Sequence, residues 1–174
     1  TLSGLKAKEI ISISANGNYV YVSSKEDGLF ISSDKGESWK RCKAMYFNYA
    51  FIYNILSKDD TVFACTNIGL LHSTDNGQNW QYFGFTDVAR DIIVDNNEIF
   101  LASDGLAISK DNGRNWEIKT RGLGSANIFD LTINQNSFYS LAYKQGLFVS
   151  NDECQSWSPF IEEFNNLSFE KIIF

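Results

Sequence analysis

The sequence predicts an all-β fold of the β-propeller type, assembled from four-stranded antiparallel blades. Three observations predict it: one motif recurs four times, short alternating apolar segments separate the copies, and no helical periodicity competes with them. The chain has 174 residues, of which 44% are hydrophobic and 15% aromatic, enough for a sizeable core. A repeat of about 40 residues that contains four short strands is typical of a propeller blade.

The recurring motif reads G-L-x-x-S-x-D-x-G-x-x-W, and its aspartates are spaced by 41, 36 and 41 residues. Its Asp, Gly and Trp positions are occupied by Asp34, Gly36 and Trp39; Asp75, Gly77 and Trp80; Asp111, Gly113 and Trp116; and Asp152, Cys154 and Trp157. We interpret the motif as structural. The Asp accepts backbone hydrogen bonds in a tight turn, the Gly permits a left-handed conformation, and the Trp fills the space between sheets. Cys154 replaces the glycine of the fourth copy, which predicts a slightly altered hairpin there.

The repeats predict a single propeller domain over residues 1–174. We expect blades at about 5–44, 50–84, 88–120 and 126–162, with the first strand of a further blade at 167–174. Each blade begins with an apolar strand and a polar turn, such as Asn16-Gly17-Asn18, that leads into a second strand. An open array would leave apolar blade faces uncovered. The chain is therefore expected to be a fragment of a five- to eight-bladed propeller, and pairing with another chain or a strand swap stays open.

Composition and charge exclude several classes of partner. The formal net charge is −6, from 15 basic and 21 acidic residues, which argues against nucleic acid. The densest basic segment, Lys40, Arg41 and Lys43, is interpreted as a solvated edge strand. No apolar run approaches about 18 residues, so membrane insertion is not expected. Cys42, Cys65 and Cys154 have no metal-ligand spacing, and neither a metal nor a cofactor is predicted.

One set of polar residues is a candidate ligand site. The starts of the first strands align on Glu9, Asn54, Asp91 and Asp130, and Lys171 takes this place at the end of the chain. First strands line the central channel of a propeller, so these groups would form a ring near one channel mouth. Asp91 and Asp130 are the first carboxylate candidates, because neighbouring acids raise each other's pKa. Simple hydration of channel residues is the alternative.

The loops between blades are the second candidate surface, over residues 44–50, 83–88 and 120–126. Tyr46, Phe47 and Tyr49 make the first loop aromatic, which suits a protein or sugar surface. The alternative is that these rings pack between blades. His72, the single histidine, and Cys65 are interpreted as core residues.

These repeats resemble the Asp-box (BNR) repeat superfamily over nearly the whole chain. That superfamily includes sialidases, xyloglucan-cleaving glycosidases, sortilin-type receptors and the photosystem II assembly factor group. The Gly4-Leu5 and Gly122-Leu123 segments before first strands look most like the last group. The resemblance implies that the Asp-boxes lie at the blade periphery, away from the functional face. It also implies a secreted, periplasmic or cell-surface location, which nothing else in the sequence indicates.

The resemblance leaves two classes of function. The first is a non-catalytic module that binds a protein or glycan through the loops of one propeller face, with no catalytic residue in this chain. The second is a glycoside hydrolase of the Asp-box type, with part of its site elsewhere, since hydrolysis needs only two suitably spaced carboxylates. Sialidases resemble one another in an arginine triad with an Arg-Ile-Pro motif. None of the four arginines here is followed by Ile-Pro, which disfavours sialidase activity.

Overall fold

The computed structural model describes residues 4–123 and 127–160. The described strands form four separate four-stranded antiparallel sheets, and in each sheet the strands are paired in chain order. The fold is therefore the predicted all-β, propeller-type architecture of four blades. The predicted strand at 167–174, with Lys171, lies outside the described residues.

The chain divides into two compact units, residues 1–89 and 90–174, and each contains two blades. The blades of the first unit are β1 Ile10–Asn16, β2 Tyr19–Ser24, β3 Gly28–Ser32 and β4 Lys40–Arg41, then β5 Ile52–Lys58, β6 Thr61–Thr66, β7 Gly69–Ser73 and β8 Gln81–Tyr82. The blades of the second unit are β9 Asp91–Asp95, β10 Glu98–Ser103, β11 Gly105–Ser109 and β12 Glu117–Lys119, then β13 Ile128–Asn134, β14 Ser137–Ala142, β15 Gly146–Ser150 and β16 Ser158–Pro159. A short 3-10 helix, Met45–Asn48, connects the first two blades, and sequence periodicity gave no sign of it.

The core of each unit lies between its two sheets. In the first unit, Tyr21 and Leu29 share a buried cluster with Ile52, Ile55 and Trp80. In the second, Phe100 and Leu106 share one with Leu131, Phe148 and Trp157. Each cluster takes residues from both blades, so burial of apolar side chains between sheets is what holds a pair of blades together.

First-strand residues show how much this packing depends on a neighbouring blade. Ile13 and Ile55 occupy equivalent positions, each paired with the fourth residue of the second strand of its own blade, Val22 and Ala64. Ile55 is 2% exposed, whereas Ile13 is 66% exposed. In the second blade this position packs against the sheet of the first, and in the first blade no described residue covers it.

The Gly-Leu segments before the first and fourth blades have a steric explanation. A Cβ on Gly4 would lie 2.5 Å from the Trp39 carbonyl oxygen, and one on Gly122 would lie 2.0 Å from that of Trp157. Both glycines also have positive φ, +94° and +88°. Leu123 is fully buried. The segment thus runs against the backbone of its blade's tryptophan, where only glycine fits.

This contact makes a stability prediction. Gly122→Ala should destabilise the protein by about 3 kcal/mol, because the methyl group would overlap a backbone carbonyl and the left-handed conformation would be strained. Chemical denaturation measures the change. Gly17→Ala is the control: Gly17 also has positive φ, +60°, but nothing lies within 4 Å of its added Cβ, so about 1 kcal/mol is expected. Equal losses for the two variants would contradict the proposed close approach.

Candidate functional site

The four Ser-x-Asp segments form turns with one hydrogen-bond pattern. In the second turn, Ser73 donates its hydroxyl to Asp75 Oδ1 (2.7 Å) and accepts the Gly77 backbone N–H (2.8 Å). Asp75 also accepts the backbone N–H and the side-chain amide of Asn79, at 2.8 and 2.6 Å. The Trp80 indole N–H closes the turn on the Gly77 carbonyl at 3.0 Å. The first and third turns repeat these bonds, with Ser38 and Asn115 in the place of Asn79.

These bonds hold the turn carboxylates in their ionised form. The Asn79 backbone N–H, the Ser73 hydroxyl and the Asn79 amide lower the pKa of Asp75 to about 2. The Ser38 and Ser156 hydroxyl groups are the largest cause of the same lowering, to about 2, for Asp34 and Asp152. The Asn115 side chain likewise lowers the pKa of Asp111. A carboxylate whose oxygens are occupied by its own turn is poorly suited to donate a proton or attack a substrate.

The fourth turn keeps this backbone although it lacks the glycine. Cys154 has φ +63°, and its backbone N–H still reaches the Ser150 hydroxyl at 3.0 Å. The fourth turn differs from the other three at its tryptophan: the buried indole nitrogen of Trp157 has no hydrogen-bond partner among the described residues. The backbone N–H of Trp157 donates to the Arg121 carbonyl at 3.1 Å. Burial raises the pKa of the Cys154 thiol to about 12, so this cysteine is not a reactive thiolate.

The strand registers revise the alignment of the predicted channel residues. Asn54, Asp91 and Asp130 are equivalent, since they pair with Cys65, Ala102 and Leu141 of the adjacent second strands. In the first blade that place belongs to Ser12, which pairs with Ser23. Glu9 precedes β1, is exposed, and forms an ion pair with Lys25 at 2.9 Å.

At these positions, neighbouring first strands are hydrogen-bonded to each other. Asp91 Oδ2 accepts the backbone N–H of Leu131 at 2.9 Å. In the first unit, Ser12 Oγ accepts the backbone N–H of Ile55 at 3.2 Å and donates to Asn54 Oδ1 at 2.6 Å. The side chain at this position therefore links one blade to the next within each unit. Asp91 and Asp130 are both buried and lie on the neighbouring first strands of the second unit. A ligand site at Glu9, Asn54, Asp91 and Asp130 stays a prediction.

A groove of about 660 Å³ opens in the first unit, between β4 with the segment that follows it and the Ser-x-Asp turn of the second blade. We call it the 40–80 groove. It is lined by Tyr19, Ile31, Ser33, Lys40, Arg41, Cys42, Lys43, Ala44, Met45, Tyr46, Asn76, Gly77, Gln78, Asn79 and Trp80. Its volume lies within the range of small-ligand pockets, roughly 300–1,000 Å³. In the sequence the two walls are an edge strand and a turn of different repeats, and no pattern connects them.

The predicted aromatic loop contributes to this groove with only part of its length. Phe47 is buried and packs edge-on against Trp80, with ring centroids 5.0 Å apart. Tyr46 lines the groove and packs edge-on against Tyr82 at 5.4 Å. Met45 and Tyr49 project into solvent, 69% and 60% exposed. The alternative that these rings pack between blades thus holds for Phe47 and in part for Tyr46, but not for Tyr49.

The other two predicted loops are less accessible to a binding partner. Phe85 is buried, its carbonyl accepts the Leu70 backbone N–H at 2.9 Å, and Phe83 packs on Phe63 at 5.2 Å. The loop over 83–88 is therefore largely fixed to its own blade. In the loop over 120–126, Leu123 is buried, and residues 124–126 lie outside the described part of the chain.

The remaining predictions from the sequence concern His72, Cys65, metal binding and membrane insertion. His72 packs on Phe83 at 4.6 Å, and burial lowers its pKa. Cys65 is fully buried. In residues 4–123 and 127–160, no three His, Cys, Asp or Glu side chains are grouped in a way that could hold a metal ion. No helix within the same residues is long and apolar enough to span a membrane.

Comparison with known proteins identifies the family. The model of the DUF6242 beta propeller domain matches residues 3–122, about two thirds of the chain. The chain belongs to the DUF6242 beta propeller domain family. A search of the curated proteins finds no match for this DUF6242 domain.

Solved structures share the fold of this DUF6242 domain at low sequence identity. An ancestral GH74 enzyme is 19% identical with a TM-score of 0.76, over 92% of this chain and 25% of that enzyme. The extracellular domain of a B. thetaiotaomicron protein described as a hybrid two-component system is 13% identical with a TM-score of 0.76, over 95% and 24% of the two chains. YCF48 from Cyanidioschyzon merolae is 13% identical with a TM-score of 0.66, over 91% and 57%. This domain therefore spans about a quarter of the first two structures and little more than half of the third.

The turn carboxylates of this DUF6242 domain give stability a pH dependence. Their pKa is lower in the folded protein than the ordinary 3.8, so their contribution is complete above about pH 4 and is lost as pH falls towards 2. Urea unfolding between pH 5 and pH 2.5 should show this loss, and Asp75→Asn should flatten it. Asp60→Asn, in the exposed β5–β6 turn, is the control. A profile unchanged by Asp75→Asn would show that this carboxylate contributes nothing.

The inter-blade bond of Asp91 gives a second prediction. Asp91→Ala leaves the buried Leu131 N–H without this acceptor and should lower the free energy of unfolding by about 1–3 kcal/mol. Asp91→Asn keeps a carbonyl oxygen in that place and should lose less. Denaturant titration of both variants checks the order, and equal losses would show that the bond to Leu131 is not what stabilises the strand pair.

Proposed function

We propose that this domain is a non-catalytic binding module that presents the 40–80 groove and the exposed end of loop 44–50 to a protein or glycan partner. The observation that carries this proposal is the exposure of Met45 and Tyr49 beside a groove of ligand-binding size. Exposed Met and Tyr side chains are frequent contributors to binding surfaces, because the Met thioether adapts to varied apolar surfaces and the Tyr ring offers a large contact area at low entropic cost.

The state of the carboxylates supports binding over catalysis. Asp34, Asp75, Asp111 and Asp152 are engaged by their own turns, and Asp91 accepts a backbone N–H from the neighbouring strand. No acidic side chain of residues 4–123 and 127–160 lines the 40–80 groove. Among the described residues, the glycoside hydrolase alternative therefore rests on Asp91 and Asp130, two buried acids at equivalent positions of neighbouring first strands.

The test combines binding and turnover measurements on the same protein. Purified domain is applied to a glycan array and a peptide array, and is incubated with a panel of chromogenic glycosides. We expect binding to at least one array component without turnover. Met45→Ala/Tyr49→Ala should weaken the affinity for that component at least about tenfold, as loss of exposed anchor residues does in other interfaces.

A matched control separates surface loss from general damage. Ile118→Ala/Tyr143→Ala removes two exposed apolar side chains of the second unit and should leave affinity unchanged. Equal weakening by both double variants would contradict a site at loop 44–50. Glycoside turnover that disappears in Asp91→Asn/Asp130→Asn would replace the binding module with the hydrolase.

A further inference from the structure

The 40–80 groove carries an excess of unpaired positive charge. Lys40, Arg41 and Lys43 line it, and all three are exposed. Within residues 4–123 and 127–160, none of them forms a salt bridge. The chain as a whole has a net charge of −6, yet no Asp or Glu of the part of the chain that the structure describes lines the groove. A local positive surface on an acidic protein favours an anionic partner, which it attracts while its other surfaces repel it.

Arg41 is held in place at this surface. Its Nε donates to the Asp27 carbonyl at 2.6 Å, which uses one of the five N–H donors of the guanidinium group. A positioned guanidinium group can bind a carboxylate through two parallel hydrogen bonds. Lys40 and Lys43 flank Arg41 and Cys42 in the chain and add two further exposed cations to the same wall of the groove.

The apolar part of the groove suits a peptide better than a sugar. Sugar-binding sites use open aromatic faces, but Trp80 is buried and Tyr46 contacts Tyr82 edge-on. Tyr19 is stacked on Tyr21, with planes 13° apart. The most exposed apolar group at the groove is the flexible thioether of Met45, which adapts to varied apolar side chains.

The fold also places an outermost strand beside the cations. β4 is the last strand of its sheet and pairs with β3 alone among the described strands. An outermost strand of this kind can hydrogen-bond an added extended segment. Cys42 does not compete as a reactive group, because burial raises the pKa of its thiol and its Sγ lies 3.6 Å from the Gly77 carbonyl.

Resting on the proposed function, we propose that the 40–80 groove binds an extended acidic peptide. Carboxylates of the peptide pair with Lys40, Arg41 and Lys43, and an apolar side chain between them packs on Met45 and Tyr46. Such a peptide alternates acidic and apolar residues. One face of the extended peptide then meets the cationic side chains Lys40, Arg41 and Lys43, and the other face meets Met45 and Tyr46.

Fluorescence anisotropy with labelled dodecapeptides tests the proposal. The probes are an alternating Glu-Leu peptide, its Gln-Leu and Lys-Leu counterparts, and tri-galacturonic acid as a competing anionic sugar. We expect the Glu-Leu peptide to bind at least tenfold more tightly than the other two peptides, with an affinity that falls between 50 and 500 mM salt. Tri-galacturonic acid should not compete at equal carboxylate concentration.

Two triple variants test whether the peptide binds the cations of the groove or responds only to the net charge of the protein. Lys40→Glu/Arg41→Glu/Lys43→Glu should reduce affinity for the Glu-Leu peptide at least tenfold. Arg114→Glu/Arg121→Glu/Lys144→Glu makes the same change in net charge at exposed cations of the second unit and should reduce it less than twofold. Matching circular dichroism spectra and unfolding midpoints show that both variants are folded.

The outcomes separate this inference from the binding module itself. Equal losses in the two triple variants, equal binding of the Gln-Leu peptide, or full competition by tri-galacturonic acid would each overturn the acidic-peptide proposal. An array component whose binding is lost in Met45→Ala/Tyr49→Ala but kept in Lys40→Glu/Arg41→Glu/Lys43→Glu would overturn it while leaving the binding module standing. Absence of any array binding would overturn the binding module as well.

Discussion

The hydrogen bond from a turn backbone N–H to a serine hydroxyl is the interaction on which each blade depends. In the second blade it joins Gly77 to Ser73 at 2.8 Å while the same hydroxyl donates to Asp75. The serine is thereby both acceptor and donor, which fixes two successive left-handed residues, Asn76 and Gly77. Those two residues reverse the chain, and the reversal delivers Trp80 to the cluster between the sheets.

The same turn has a consequence for the surface. Because the second turn is rigid, residues 76–80 present a defined wall opposite residues 40–46 of the preceding blade. A folding element of one blade and an edge strand of another thus combine into a groove that neither forms alone. The carboxylate of the turn is occupied by the hydrogen bonds that form the turn itself, since Asp75 binds Asn79 and Ser73. This leaves the basic side chains of β4 to set the charge of the groove.

Local pattern predicted the parts of the fold that depend on near neighbours in the chain. The repeated Ser, Asp, Gly and Trp residues and the polar turns predicted four-stranded antiparallel sheets, and the structure has them. Register was harder: Glu9 was aligned with Asn54, whereas Ser12 occupies that place. The local pattern does not distinguish the two, because a polar residue precedes an apolar one at Glu9-Ile10 and again at Ser12-Ile13, and only the strand pairing shows which is equivalent. The 40–80 groove was beyond prediction, since it joins segments more than 30 residues apart that belong to different sheets.

The fourth turn shows that its hydrogen bonds, more than its glycine, define this element. Cys154 adopts φ +63° where the other turns have glycine, at a cost of about 1 kcal/mol. The buried thiol offsets that cost, since its side chain joins the cluster with Phe148 and Trp157. The bond that is lost is the one from the indole N–H, which lies outside the reversal itself. The Ser150 and Asp152 bonds remain, so the chain still reverses at the same place and the tryptophan still reaches the core.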